Sequence, residues 1–142
     1  MSTVAESPDV HKIVHTVFSQ ALEENGVDLR WWRKPPPDAA SKTPFAQYSV
    51  TTPVQLNNSP SYHKGLRCTI TVSIVADDFG TAVNRAQALL VLATTAVHRI
   101  PTPYGTLTHI SVTQGVESTN TSLSASELEQ VTVILSGIAR KE

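Results

Sequence analysis

Few residues in this chain stand at spacings that do chemistry, and each of those spacings also has a structural use. His11 and His15 are four apart in His-Lys-Ile-Val-His, which on a helix puts both imidazoles on one side, as a zinc pair requires. The place of a zinc protease's catalytic Glu is taken by Lys12, and no Cys, His or carboxylate cluster offers a third ligand. Both histidines border an apolar helix face, so they read as boundary residues. Asp77 and Asp78 are adjacent carboxylates, a pair that could hold a metal or share acid–base work. They stand directly before a helix, where carboxylates cap free backbone N–H groups, and capping is the reading taken. His63, His98 and His109 have no Ser, Cys or acid at a recognisable motif distance. The six glycines form no G-x-S-x-G, Walker loop or G-x-G-x-x-G, so no phosphate cradle is assigned. No catalytic, metal or cofactor-binding residue follows from these patterns, and the expectation is a protein that is not an enzyme.

The least ordinary stretch is Arg30-Trp31-Trp32-Arg33-Lys34, which holds both tryptophans and three of the eleven basic residues. It supports three readings. One is a nucleic-acid strip of stacking aromatics and phosphate-binding cations. Another is a protein-interface anchor, because Trp and Arg dominate interface hot spots. The third places one Trp in the core and the other at a sheet edge, with long charged side chains around them. A strand cannot put both tryptophans on one face, so at least one needs a cover other than the main core.

The elements that would position these residues follow from periodicity. Asp9 caps a helix whose Val10, Ile13, Val14, Val17, Phe18, Ala21 and Leu22 keep one-face spacing, and Asn25-Gly26 stops it. Residues 27–32 form a first strand, ended by three consecutive prolines. Residues 45–52 form a second. In the third, Leu66, Cys68, Ile70, Val72 and Ile74 alternate with Arg67, Thr69, Thr71 and Ser73. That strand meets Asp77-Asp78 and passes into a second helix from Phe79 to about Val97. Val83, Ala86, Leu90 and Val97 are assigned to the sheet, while Val91 and Leu92 project away and require helix one or another subunit as cover. A fourth strand spans residues 106–113 with Ile110 and Val112 inward, and a fifth runs from Glu129 to near Ala139. The expected fold is a single α+β domain of order α-β-β-β-α-β-β: a mainly antiparallel four- to five-stranded sheet covered by two helices. Residues 1–8 are assigned to a flexible N-terminus and 34–44, 53–65 and 114–126 to long loops.

Composition narrows the class. A chain of 142 residues that is 40% hydrophobic can bury a real core as one domain. Eleven Lys+Arg against twelve Asp+Glu leave a net charge of −1, so a general basic footprint for nucleic acid is absent. The single Cys68 has no partner for an internal disulfide and stands on the apolar side of its strand, as a small buried hydrophobe. The first residues lack the apolar core of a signal peptide, and no stretch approaches the ~18 apolar residues of a membrane span. A soluble protein of a reducing compartment is expected. The Asn-x-Ser patterns at Asn57 and Asn120 then carry no glycosylation role.

Taken together, the opening helix, the strand pair around the Pro-rich loop, the run from Ile70 to Asp78 into an Ala/Leu-rich helix, and the closing strand pair resemble the tail terminator proteins of long-tailed bacteriophages. The resemblance covers most of the chain and is one of architecture. It implies a hexameric homo-oligomeric ring in the virion, assembled in the host cytoplasm at the head–tail junction. The ring would cap the tail tube, stop its polymerisation and join it to the head-connector or neck proteins, with DNA passing through without specific binding. Alternatives are another head–tail joining protein or a small nucleic-acid-binding domain using Trp31, Trp32 and their basic neighbours. Neither a cofactor nor a membrane is implied. The candidate interface residues are Trp32, Arg33, Lys34, Tyr62, His63, Val91 and Leu92.

Overall fold

The computed structural model describes residues 9–34, 36–51, 66–98, 100–118 and 128–140. Helix α1 (Val10–Glu24) starts where Asp9 accepts the Lys12 backbone N–H at 3.3 Å. It ends where the Asn25 side chain donates to the Ala21 carbonyl at 2.8 Å and Gly26 turns the chain at φ +67°. All seven apolar residues of its expected face are buried. Helix α2 (Phe79–Thr95) starts likewise, with Asp78 accepting the Thr81 N–H at 3.0 Å. That cap holds the Asp78 carboxyl below its ordinary range, because the ionised form accepts the bonds. Asp77 accepts the Thr43 hydroxyl at 2.7 Å instead, tying the helix entrance to the approach to β2.

Five strands make one mixed sheet: β1 (Arg30–Trp32), β2 (Phe45–Thr51), β3 (Leu66–Ala76), β4 (Thr106–Ser118) and β5 (Glu129–Arg140), in spatial order β1-β2-β3-β5-β4. Only β1 and β2 pair in parallel. A parallel neighbour needs a crossover rather than a hairpin. The expected 34–44 loop supplies it, and part of that stretch is a 3-10 turn, Ala39–Lys42. The first strand is shorter than the expected 27–32, because its ladder partner begins only at Phe45, opposite Arg30.

One face of the sheet carries the main core. Cys68, Ile70, Val72 and Ile74 of β3 and Val131, Val133 and Leu135 of β5 are fully buried on it. The register sets Ile70 opposite Leu135 and Val72 opposite Val133. Full burial of each large aliphatic side chain on this face contributes roughly 1.5–3 kcal/mol. The other face is mostly short and polar, with Gln47, Ser49, Thr71, Ser73, Thr132 and Ser136 along the ladders.

Helix α2 and strand β4 depart from the expected pattern. In α2 the buried stripe is Ala82, Ala86, Leu89 and Ala93, with Leu92 only 7% exposed; Val83 and Leu90 are partly buried flanks. Leu92 is therefore covered within its own chain. Val91 faces away, 59% exposed, about half a turn round from the stripe. In β4, Val112 is 42% exposed rather than inward, although Ile110 does pack on the core. The pairing with β5 shifts register between Thr108 and Ser111, between Val112 and Gln114, and between Gln114 and Glu117. His109 adopts φ +54° at the first shift. Inserted residues break the period of two, so the buried side of this strand cannot be counted from its sequence. Strand β4 also runs on to Ser118, into the stretch expected to be a loop from residue 114.

Candidate functional site

The chemistry-bearing residues separate when folded. Trp31 is buried, 6% exposed, in the main core. It lies between Phe18 of α1 (centroids 4.9 Å apart, 21°) and Tyr48 of β2 (4.6 Å, 9°). Its Nε1 finds no hydrogen-bond acceptor among the described residues. A base cannot stack on a ring with both faces covered, so an aromatic strip using both tryptophans loses Trp31. Trp32, next along the strand, points to the opposite face. There it is half-buried against Phe45 at 5.4 Å and joins a small second cluster with Ala39, Val75 and Leu128. The need for a second cover was readable from the period of two; that the 3-10 turn helps provide it was not.

A cleft opens where the first half of α1 passes the end of β1. It has a volume of about 390 Å³ and is lined by His11, Lys12, His15 and Thr16 from the helix, Trp32 and Arg33 from the strand end, Tyr48 from β2, and Tyr104. The Nδ1 of His15 and the Tyr48 hydroxyl are hydrogen-bonded at 3.0 Å. The Lys12 ammonium sits 5.1 Å from the centre of the Tyr104 ring, a cation–π arrangement. Burial raises the Tyr48 phenol above its ordinary value, and the nearby Arg33 guanidinium pulls it partway back. An adjoining hollow of about 420 Å³ continues past His11, Arg33 and Tyr48 to Gln47, Ser49, Val50, Thr71 and Ser73. The result sets two cations, Lys12 and Arg33, beside the rings of Trp32, Tyr48 and Tyr104. It suits an anionic, partly apolar partner surface.

Of the residues assigned to an interface, Trp32 and Arg33 line this cleft and Lys34 is exposed beside it. Val91 is exposed on α2, while Leu92 is in the core and leaves the candidate surface. Tyr62 and His63 lie outside the described residues. His11, Lys12, His15, Tyr48 and Tyr104 were not assigned to the interface. The histidine spacing singled out two of them, but only the β1–β2 pairing brings Tyr48 and Arg33 to the helix. Among the described residues no group of three or more His, Cys, Asp or Glu could hold a metal ion. No helix there is long and apolar enough to cross a membrane.

No protein-family model matches this chain, and no curated protein matches it. Its fold is similar to that of a chain in the virion of the native gene transfer agent particle. The TM-score is 0.57 at 12% sequence identity, over 87% of this chain and 90% of that one. At that identity the likeness is one of fold, and it extends over nearly the whole of both chains.

Proposed function

We propose that this protein is a structural component of a phage-type virion, acting by assembly rather than catalysis. In the finer reading it is a tail terminator, a ring of identical subunits that caps the tail tube, ends its polymerisation and meets the head connector. The observation that carries the reading is the fold shared, over nearly full length, with a chain of a gene transfer agent virion. The cleft, with its two cations beside aromatic rings, and the exposed Val91 add surfaces of the kind that subunits bury against one another.

Light scattering on the eluting protein tests it. A hexamer is expected, alone or on addition of tail-tube protein, and a chain that remains monomeric under both conditions would overturn the ring. Trp32→Ala should weaken assembly, since Trp32 walls the cleft without belonging to the main core.

A further inference from the structure

Helix α1 carries its charges against its own dipole. A helix favours acids in its first turn and bases in its last, yet α1 has neither. Lys12 stands near its start and Glu23 and Glu24 at its end. Lys12 is partly relieved by Asp9, 3.9 Å away. Glu23, Glu24 and Asp28 have no ion pair among the described residues, where the two pairs are Lys12–Asp9 and Lys42–Asp38. Two cations do stand at this end, each bonded to a backbone carbonyl rather than a carboxylate: Arg30 donates to the Lys42 carbonyl at 2.7 Å and Arg85 to the carbonyl of Asp28 itself at 2.9 Å. An arrangement that opposes the helix at both ends becomes favourable if the two ends meet between molecules.

The shapes agree with the charges. The start of α1 forms one side of the cleft, in whose lining His11, Lys12 and Arg33 are exposed and Trp32 and Tyr104 half-buried. The end of α1 leads into a turn in which Gly26 reverses the chain and Val27 is partly buried between exposed Glu24 and Asp28. One is a recess with Lys12 and Arg33 beside aromatic side chains; the other is a corner where the carboxylates of Glu23, Glu24 and Asp28 surround Val27, with Arg30 and Arg85 held on backbone carbonyls.

We propose that the α1–β1 corner of one copy of this chain docks into the cleft of the next. Glu23, Glu24 and Asp28 meet Lys12 and Arg33, and Val27 lies against the aromatic wall. The donor and acceptor surfaces lie at opposite ends of a helix about 22 Å long, so the contact is heterologous and repeats head to tail until it closes. The inference rests on the ring reading above and supplies that ring's subunit contact.

Two full-length charge-reversed proteins test it: one carries Lys12→Glu and Arg33→Glu, the other Glu23→Lys, Glu24→Lys and Asp28→Lys. Circular dichroism is expected to show both folded. Each alone should associate at least ~10-fold more weakly than the original chain, as like charges now meet. An equimolar mixture should regain the ring, because every contact in an alternating ring again pairs opposite charges. If the original chain forms a ring and the reversed proteins form it equally well, this contact is wrong and the ring reading stands. If they fail alone and also fail when mixed, the contact is again wrong. If the original chain stays monomeric even with tail-tube protein, both ideas fall.

Discussion

The indole of Trp31 lies nearly parallel to the phenol ring of Tyr48, with centroids 4.6 Å apart at 9°, across the parallel β1–β2 ladder. Phe18 of α1 stacks on the same indole, so one side chain joins the edge of the sheet to the first helix. Trp31→Ala should therefore cost about 3–5 kcal/mol, read as a lower midpoint in urea unfolding. Trp32→Ala, at a half-buried position on the other face, should cost markedly less. Equal losses would show that Trp31 does not hold the helix to the sheet.

Neighbouring residues on α2 should behave as opposites. Val91→Asp places a charge on a surface that is already 59% exposed and should change monomer stability by no more than about 0.5 kcal/mol. Any effect on assembly then reports contact between subunits. Leu92→Asp puts a carboxylate in the core and should cost about 3 kcal/mol or more. Thermal unfolding of the two variants side by side checks both values.

Gly105 occupies a position that accepts no side chain. It has φ +131°, and a Cβ there would overlap the Arg140 carbonyl oxygen and come within 2.9 Å of the Ile13 Cδ1. The entry to β4 is thus pressed between α1 and the end of β5. Gly105→Ala should destabilise by about 2 kcal/mol or more, from strained backbone and overpacking together. Gly80→Ala, where a Cβ would meet nothing within 4 Å, is the control and should not destabilise.

Cys68 should impose an alkaline limit. Burial pushes its thiol from an ordinary 9.0 up to about 11, and its Sγ–H donates to the Gly137 carbonyl at 3.6 Å. The folded chain then keeps a proton that the unfolded chain releases. Its contribution to stability is whole below pH 9 and is lost as pH rises towards about 11, on the order of 3 kcal/mol. Tyr48, also raised by burial, adds a loss of the same sign at higher pH. Urea unfolding across pH 8 to 11 should show a steeper fall for the original chain than for Cys68→Ala; parallel curves would contradict the assignment. At neutral pH a thiol reagent should label Cys68 only on unfolding.

The features legible before folding are those that short-range physics controls. The faces of α1, β3 and β5 follow from periods of 3.6 and 2 that each segment carries internally. The caps at Asp9, Asn25 and Asp78 follow from side chains reaching backbone groups a few residues away. The opposite facing of Trp31 and Trp32 follows from strand geometry alone. Tertiary structure decided whatever depends on a distant partner. The parallel pairing of β1 with β2 needs residues 33–44 to cross over, and no local period encodes it. Val112 is exposed because the register shifts in β4 exist only against β5. Leu92 is buried because the neighbours packed round α2 set the width of its covered face. The cleft arises because α1, the end of β1, β2 and Tyr104 meet in space. Its residues are ordinary one by one and become a charged, aromatic-walled recess only when the sheet order places them together.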